Sequence, residues 1–148
     1  MYRIVKKETL NPSVNLYEIE APMTAKTAQP GQFVILRSHK DGERIPITIH
    51  DCDREKGTVT IIVQTVGAAT ERLRHMEQGE FLEDFVGPLG RPTEIEGNKK
   101  VCVVGGGVGC AIAYPVLKKF HDCGAEVHAI AGFRNRDMVI LEEKFRSV

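Results

Sequence analysis

The chain has 148 residues, with 20 Lys and Arg against 20 Asp and Glu, so its formal net charge at pH 7 is zero. This balance excludes the strong electrostatic attraction that drives binding to nucleic acids or to anionic lipids. The longest apolar stretch, around residues 101–104, is far shorter than the ~20 residues that a membrane-spanning helix needs. We therefore predict a globular protein with no nucleic-acid partner and no membrane segment.

The cysteines indicate a reducing environment. The chain contains four, none of them in a C-x-x-C pair: Cys52, Cys102, Cys110 and Cys123. A chain of this length can build a core without disulfides, and the basic residues near its start are not followed by the apolar run of a secretory signal. We therefore expect free thiols and a cytoplasmic location.

The run from His50 to Asp53 contains His, Asp, Cys and Asp, the residue types that bind metals. Strand alternation places His50 and Cys52 on one face and the two aspartates on the other. A polar strand end is therefore the favoured interpretation, and no metal site is predicted.

Short β-type segments separated by turn residues fill the chain up to residue 97. The predicted strands are Tyr2–Lys7, Val14–Ile19, Gln32–Arg37, Ile45–His50, Thr58–Val66 and Glu80–Val86. One helix is predicted over residues 70–77, with Thr70 as its N-cap and Gly79 after its end. Many short strands at spacings of about ten residues indicate an antiparallel barrel or sandwich.

A different pattern begins after residue 97, and we place a domain boundary there, between residues 1–97 and residues 98–148. The predicted elements are a strand buried on both faces at 101–104, a glycine turn at 105–109, a helix at 111–121, a second buried strand at 126–131 and the beginning of a helix at 138–146. Strand, helix and strand form a βαβ unit, whose two strands run parallel. A nucleotide-binding domain usually contains two such units. We therefore expect a fragment, or a chain that another chain completes.

The glycine turn is the strongest local signal for a ligand. It reads Gly105, Gly106, Gly107, Val108 and Gly109. Bare backbone between a strand and a helix allows a pyrophosphate to approach the amides at the helix N-terminus. Cys110 stands where the dinucleotide fingerprint has its third small residue, and no acidic residue ends the second strand. A tight turn without a ligand is the alternative.

Three weaker motifs precede the glycine turn: an Arg-x-Pro-x-Thr strand from Arg44 to Thr48, a helix start at residues 67–70 and a Gly-Pro-Leu-Gly turn at residues 87–90. Each of them alone is common in proteins. In this order, and with the glycine turn after them, they resemble the ferredoxin reductase-like flavoprotein family. Within it they resemble the electron-transfer subunits of NADH-dependent ferredoxin:NADP oxidoreductase (sulfide dehydrogenase type) and of dihydroorotate dehydrogenase.

The resemblance implies a fold and a set of binding residues. The implied fold is a six-stranded antiparallel FAD-binding β-barrel followed by a truncated parallel-sheet domain that binds NAD(P). Arg44 is implied to pair with the FAD pyrophosphate, a suitable partner for a guanidinium group. The other implied cofactor-binding residues are Ile45, Pro46, Ile47 and Thr48 along the flavin, Ile62, Val63 and Gln64 beside the ribityl chain and adenosine, Gly67, Ala69 and Thr70 at the pyrophosphate, and Gly105, Gly106, Gly107, Val108 and Gly109 at the nicotinamide dinucleotide. No catalytic side chain is predicted, because the flavin carries the chemistry.

The implied function is an oxidoreductase subunit in which NAD(P)H reduces FAD and FAD passes electrons to an iron–sulfur partner. A heterodimer with an iron–sulfur or flavin subunit and a ferredoxin-type carrier are the implied partners. Longer members carry a [2Fe–2S] centre, whose cysteine cluster is matched by none of the four cysteines here. Related subunits tend to have Arg where this chain has Ile45. The alternatives are a dihydroorotate dehydrogenase electron-transfer subunit and a non-catalytic nucleotide-binding regulatory module, and the choice between NADH and NADPH stays open.

Overall fold

The computed structural model describes all residues from Met1 to Val148. The strands are β1 (Tyr2–Asn11), β2 (Val14–Glu20), β3 (Phe33–Arg37), β4 (Ile45–Asp53), β5 (Thr58–Gln64), β6 (Phe81–Leu82), β7 (Asp84–Leu89), β8 (Lys100–Gly106) and β9 (Glu126–Gly132). The helices are α1 (Pro22–Thr27), α2 (Ala68–Arg74), α3 (Cys110–Asp122) and α4 (Glu142–Arg146), with single 3₁₀ turns at Gly107–Gly109 and Arg136–Met138. No helix has the length and apolar character needed to cross a bilayer.

The first part of the chain is a nearly closed antiparallel barrel. Its seven strands follow the order β6-β1-β2-β5-β4-β3-β7, so β6 and β7 lie at the two ends of the sheet. The predicted barrel is confirmed, but its strand number of six is wrong. The segment predicted as one strand, 80–86, divides at Glu83, whose amide donates to the Arg37 carbonyl at 2.9 Å. Residues before the break pair with β1 and residues after it pair with β3.

The second part is a two-stranded parallel sheet with α3 packed against one face. β8 and β9 pair in register from Lys100 with Glu126 to Gly106 with Gly132. The predicted burial of both strands on both faces is wrong, because no element covers the face opposite α3. Side chains on that face are consequently exposed, with 68% of Val104 and 59% of Ile130 accessible to solvent.

The helices depart from the sequence prediction in three places. α1 begins at Pro22 and was not predicted, since six residues are too few to reveal a helical period. α2 begins and ends earlier than predicted, with Gly67 as its N-cap and Thr70 inside its first turn. The helix predicted from residue 138 is confirmed only over Glu142–Arg146, because Leu141 adopts a left-handed conformation with φ 62° that separates the 3₁₀ turn from α4. α3 is confirmed.

A small apolar cluster joins the barrel to the parallel sheet unit. Val14, Leu16 and Ile62 contribute from the barrel. Ala111 and Ile140 contribute from α3 and from the segment after β9. This cluster is separate from the larger core inside the barrel, and it places the start of α3 directly over the outer face of β2 and β5.

Candidate functional site

β4 and β5 are paired along only part of their length. Pairing between these strands covers only residues 49–53 of β4 and 58–61 of β5. The beginning of β4, residues 45–48, pairs with β3 alone, and the end of β5 pairs with β2 alone. Pro46 lies in the unpaired edge and has no N–H to leave unsatisfied there. The sheet therefore lacks strand pairing between residues 45–48 and residues 62–64, and we call this gap the slot.

One side of this slot holds the residues that the family resemblance places along the flavin, and the other holds those that it places beside the ribityl chain and adenosine. Ile45, Ile47 and Thr48 are half-buried and Pro46 is exposed on one side. Ile62 and Val63 are buried and Gln64 is half-buried on the other. Apolar walls with a few polar groups are the usual lining of a cofactor site.

Arg44, at the mouth of the slot, is already paired. Its Nη2 lies 3.2 Å from Oδ2 of Asp84, at the beginning of β7. The Nε of Arg37 lies 2.7 Å from the same oxygen, although its N–H does not point at it. The Arg44 side chain is 61% exposed, so this ion pair is weak and exchangeable. The sequence analysis did not identify Asp84 as the partner of Arg44.

The turn before α2 is shaped by Thr70 rather than capped by it. The Thr70 hydroxyl accepts hydrogen bonds from the amides of Val66 at 2.9 Å and Gly67 at 3.0 Å, and donates to the Gly67 carbonyl. The predicted N-cap role of Thr70 is therefore wrong, and its hydroxyl is fully used inside the turn. The amides of the first helical turn, including Ala69, have no intrahelical partner and point outward.

The glycine turn combines one tightly packed position with several open ones. A side chain at Gly105 would bring its Cβ within 3.0 Å of Cys110 Cα, so this glycine allows β8 and α3 to pack closely. No atom lies within 4 Å of a Cβ placed at Gly106, Gly107 or Gly109, and Gly107 has φ 54°. This bare, open backbone at the beginning of α3 fits a pyrophosphate.

The slot and the glycine turn are adjacent. Val108, in the middle of the turn, packs against the apolar cluster that contains Ile62 from the slot. The structure thus brings together two sets of predicted site residues that lie over forty positions apart in the sequence.

A buried histidine, His50, connects β4, which carries one side of the slot, with α3, which follows the glycine turn. A β-bulge between Ile49 and Asp51 turns His50 out of the barrel and under α3. Its Nδ1 donates to the Ala111 carbonyl at 2.8 Å, and its Nε2 accepts from Lys144 Nζ at 3.0 Å. Burial is the main reason that the pKa of His50 falls from 6.5 to about 4. The Lys144 charge adds to the decrease and the bond to Ala111 opposes it.

This bulge also corrects the predicted strand alternation. Cys52 packs against the barrel core, whereas His50 faces α3, so the two side chains do not share a face. No group of three His, Cys, Asp or Glu side chains is placed to hold a metal ion. Sequence reasoning did not identify His50 as a contact between the barrel and α3, although the sequence holds one signal of this contact. Pro115 has no N–H and leaves the Ala111 carbonyl of α3 without its helical partner.

An antiparallel barrel with a slot at one strand pair, next to a glycine turn in a parallel βαβ unit, defines the ferredoxin reductase-like fold. A solved structure described as an NADH-dependent reduced ferredoxin-NADP oxidoreductase superimposes with a TM-score of 0.94 at 40% identity, over 97% of this chain and 52% of that one. Phthalate dioxygenase reductase superimposes with a TM-score of 0.79 at 15% identity, over 97% of this chain and 46% of that one, which supports the fold alone.

Sequence relatives give the same result. The chain is 40% identical over 145 residues to a homologue of the dihydroorotate dehydrogenase B (NAD⁺) electron transfer subunit from Thermotoga maritima, covering 98% of this chain and 51% of that protein. It is 50% identical over 151 residues to an uncharacterised protein encoded beside adh in Clostridium beijerinckii, covering 97% of this chain and 51% of that protein. No protein-family model matches.

The resemblance predicted from the sequence is therefore confirmed: the chain is a homologue of ferredoxin reductase-like electron-transfer subunits. It spans about half the length of the relatives that it matches.

Proposed function

We propose that the chain is the flavin-binding part of an NAD(P)H-dependent electron-transfer subunit. The observation that carries this proposal is the slot between β4 and β5, which lies beside an open glycine turn and is joined to it through Val108 and Ile62. The first feature suits a flavin ring and the second suits a dinucleotide pyrophosphate. Their adjacency suits transfer between two bound cofactors.

In this proposal residues 1–97 bind FAD and residues 98–148 begin the NAD(P)-binding domain. The boundary is supported by the connection between β7, which ends at Leu89, and β8, which begins at Lys100. Bound FAD supplies the redox chemistry, since it accepts electrons as a pair from NAD(P)H and releases them singly. The protein's own groups bind, orient and exclude water.

The proposed roles of the side chains follow their positions. Residues 45–48 and 62–64 hold the isoalloxazine ring and the ribityl chain between apolar walls. Arg44 exchanges its Asp84 partner for the FAD pyrophosphate, which a guanidinium group binds in a bidentate manner. Ala69 presents its outward amide to the same pyrophosphate, Gly67 leaves the approach free of a side chain, and Thr70 holds that turn in place. The bare backbone of residues 105–109 binds the pyrophosphate of the nicotinamide dinucleotide.

The proposed partners are an iron–sulfur or flavin subunit that forms a heterodimer with this one, and a ferredoxin-type carrier. The electron transfer subunit named among the relatives and the ferredoxin-NADP oxidoreductase named among the solved structures support this choice. None of the cysteines forms a disulfide, which supports a reducing compartment, and we propose the cytoplasm. A [2Fe–2S] centre has no ligand set in these residues.

One observation favours a second candidate, a non-catalytic nucleotide-binding module. The parallel sheet has only two strands, so it forms one wall of a nucleotide site. Reconstitution with FAD separates the two functions. We expect a yellow protein with flavin absorbance and quenched flavin fluorescence after removal of free FAD. A colourless protein that still binds NADH would favour the non-catalytic module.

A further inference from the structure

We infer that His50 is a positioning residue that sets the glycine turn of α3 against the flavin slot of β4. The inference rests on the proposed function, which gives both regions a cofactor. His50 touches neither the slot nor the glycine turn directly. It acts through the two elements that carry them.

The position of His50 in the sequence explains its reach. It follows Thr48 of the slot by one intervening residue on β4, and its hydrogen-bond acceptor, Ala111, follows Gly109 of the glycine turn by one intervening residue on α3. A single side chain therefore connects the backbone next to one proposed cofactor with the backbone next to the other. The bulge at His50 is what turns the ring toward α3.

Pro115 makes the Ala111 carbonyl available. In a regular helix the amide four residues later would donate to this carbonyl, but proline has no N–H. The His50 Nδ1–H takes that place at 2.8 Å, with only 1% of the residue exposed. An intrahelical hydrogen bond is thus exchanged for one that joins two parts of the molecule.

The remaining atoms of the ring are also held. Nε2 accepts from Lys144 Nζ at 3.0 Å, which fixes the tautomer with the proton on Nδ1. The imidazole ring stacks near Tyr114, with centroids 5.6 Å apart, and Tyr114 contacts Phe145 of α4 edge-on. Contacts with residues of both α3 and α4 hold the imidazole ring in one orientation. A ring fixed in this way limits rotation of the parallel sheet unit against the barrel.

Two variants distinguish the effect of the His50 hydrogen bond from the effect of side-chain packing at this position. His50→Asn keeps an amide donor near the position of Nδ1, and His50→Leu fills the space without a donor. Residual dipolar couplings of the amides in the barrel and in α3, β8 and β9 report the relative orientation of the two parts in the 148-residue protein. We expect one alignment tensor for the wild type and for His50→Asn, and two different tensors for His50→Leu.

Lys144→Met is the matched control, because it removes the second contact of the ring but leaves Nδ1 bonded to Ala111. We expect it to loosen α4 and to keep the single tensor. A single tensor in His50→Leu, or two tensors in Lys144→Met, would overturn the inference. Should His50→Leu not fold, the wild type alone decides: a through-bond coupling between His50 ¹⁵Nδ1 and Ala111 ¹³C′ is expected, and its absence overturns the inference.

Stopped-flow reduction of bound flavin by NADH and by NADPH links orientation to function. We expect His50→Leu to reduce flavin roughly ten- to a hundredfold more slowly, with nucleotide affinity within about twofold of the wild type, and His50→Asn to recover most of the rate. A purely structural role would change affinity and flavin content as well. If the wild type binds no flavin, the proposed function fails, while the dipolar couplings still decide the role of His50.

Discussion

At the scale of single residues, several side chains matter because of the groups that they contact in the folded protein. Asp84 and Pro115 are ordinary residues in the sequence. In the structure Asp84 restrains Arg44, and Pro115 leaves a carbonyl free for His50. The family resemblance implied a role for Arg44, because a guanidinium group is a suitable partner for a pyrophosphate. Sequence reasoning did not find His50, because a bulge that turns a side chain outward leaves no periodic signal and Pro115 alone does not show which donor reaches the Ala111 carbonyl.

His50 predicts how stability changes with pH. The folded protein holds it neutral down to about pH 4, whereas the unfolded chain protonates it below its usual pKa of 6.5. The unfolded state therefore binds more protons between these values, and stability falls as the pH decreases from 6.5 to 4. We expect His50 to account for a loss of ~3 kcal/mol over this interval.

The measurement is urea denaturation at several pH values, for the wild type and for His50→Asn, which does not titrate. The difference between the two free energies of unfolding should change across this interval and be flat above pH 7 and below pH 4. Parallel curves for the two proteins would contradict the buried neutral state of His50.

Arg44 predicts a loss of FAD affinity when it is shortened. Arg44→Ala removes a charge-assisted pair with the pyrophosphate, which contributes about 1.5–3 kcal/mol. Asp84→Asn is the matched opposite change, because it releases Arg44 from the pair that it forms at 3.2 Å. We expect weaker FAD binding in the first variant and equal or tighter binding in the second, measured by quenching of flavin fluorescence. Equal affinity in the wild type and Arg44→Ala would remove Arg44 from the site.

At the scale of elements, the sequence predicted what depends on local patterns. Alternation and turn residues gave the barrel strands, and an apolar strand followed by glycines gave β8 and α3. The slot between β4 and β5 was not predictable, because it depends on where pairing stops rather than on which residues form strands. The break at Glu83 follows from pairing with the distant β3, and the left-handed Leu141 packs against the cluster that contains Val14 and Ile62, so one strand and one helix were predicted across them.

The glycine turn predicts opposite effects for two neighbouring glycines. Gly105→Ala brings Cβ to 3.0 Å from Cys110 Cα and 3.2 Å from Ala113 Cβ, so β8 and α3 must separate. We expect a loss of about 1–3 kcal/mol in the free energy of unfolding. Gly106→Ala meets no atom within 4 Å and leaves stability nearly unchanged, but its methyl group occupies the open surface proposed for the pyrophosphate.

Urea denaturation and the thermal shift on adding NADH distinguish these two effects. Gly105→Ala should unfold at lower urea, and Gly106→Ala should unfold like the wild type but lose the stabilisation by NADH. Flavin content should be unchanged in Gly106→Ala. If Gly106→Ala keeps the full thermal shift, the nucleotide does not bind over this turn.

At the scale of the whole molecule, the barrel and the parallel sheet differ in how completely their apolar side chains are buried. The barrel closes around a core in which Ile4, Val34 and Leu73 are fully buried. The parallel sheet has α3 on one face only, and Cys102, Val104 and Ile130 are exposed on the other. The sequence predicted burial for these strands because apolar parallel strands are normally covered on both faces. The apolar composition of β8 and β9 is typical of strands that are covered on both faces, and in this chain α3 covers only one face.

The open sheet predicts that the 148-residue chain is a poor oxidoreductase even when it is loaded with flavin. In open α/β sheets the dinucleotide lies across the carboxyl ends of several strands, where the strand order reverses. Two strands supply the pyrophosphate turn but not the further loops that would press the nicotinamide ring toward the slot. A donor misplaced by about 1 Å costs on the order of a hundredfold in rate. NADH oxidation with an artificial acceptor should therefore be at least about a hundredfold slower than for the flavin-based NADH-dependent reduced ferredoxin-NADP oxidoreductase, of whose matching chain this one spans 52%. FAD content, measured in parallel, should be similar in the two proteins, because the barrel that forms the slot is complete. Comparable turnover at equal flavin content would show that two strands suffice to place the nicotinamide ring.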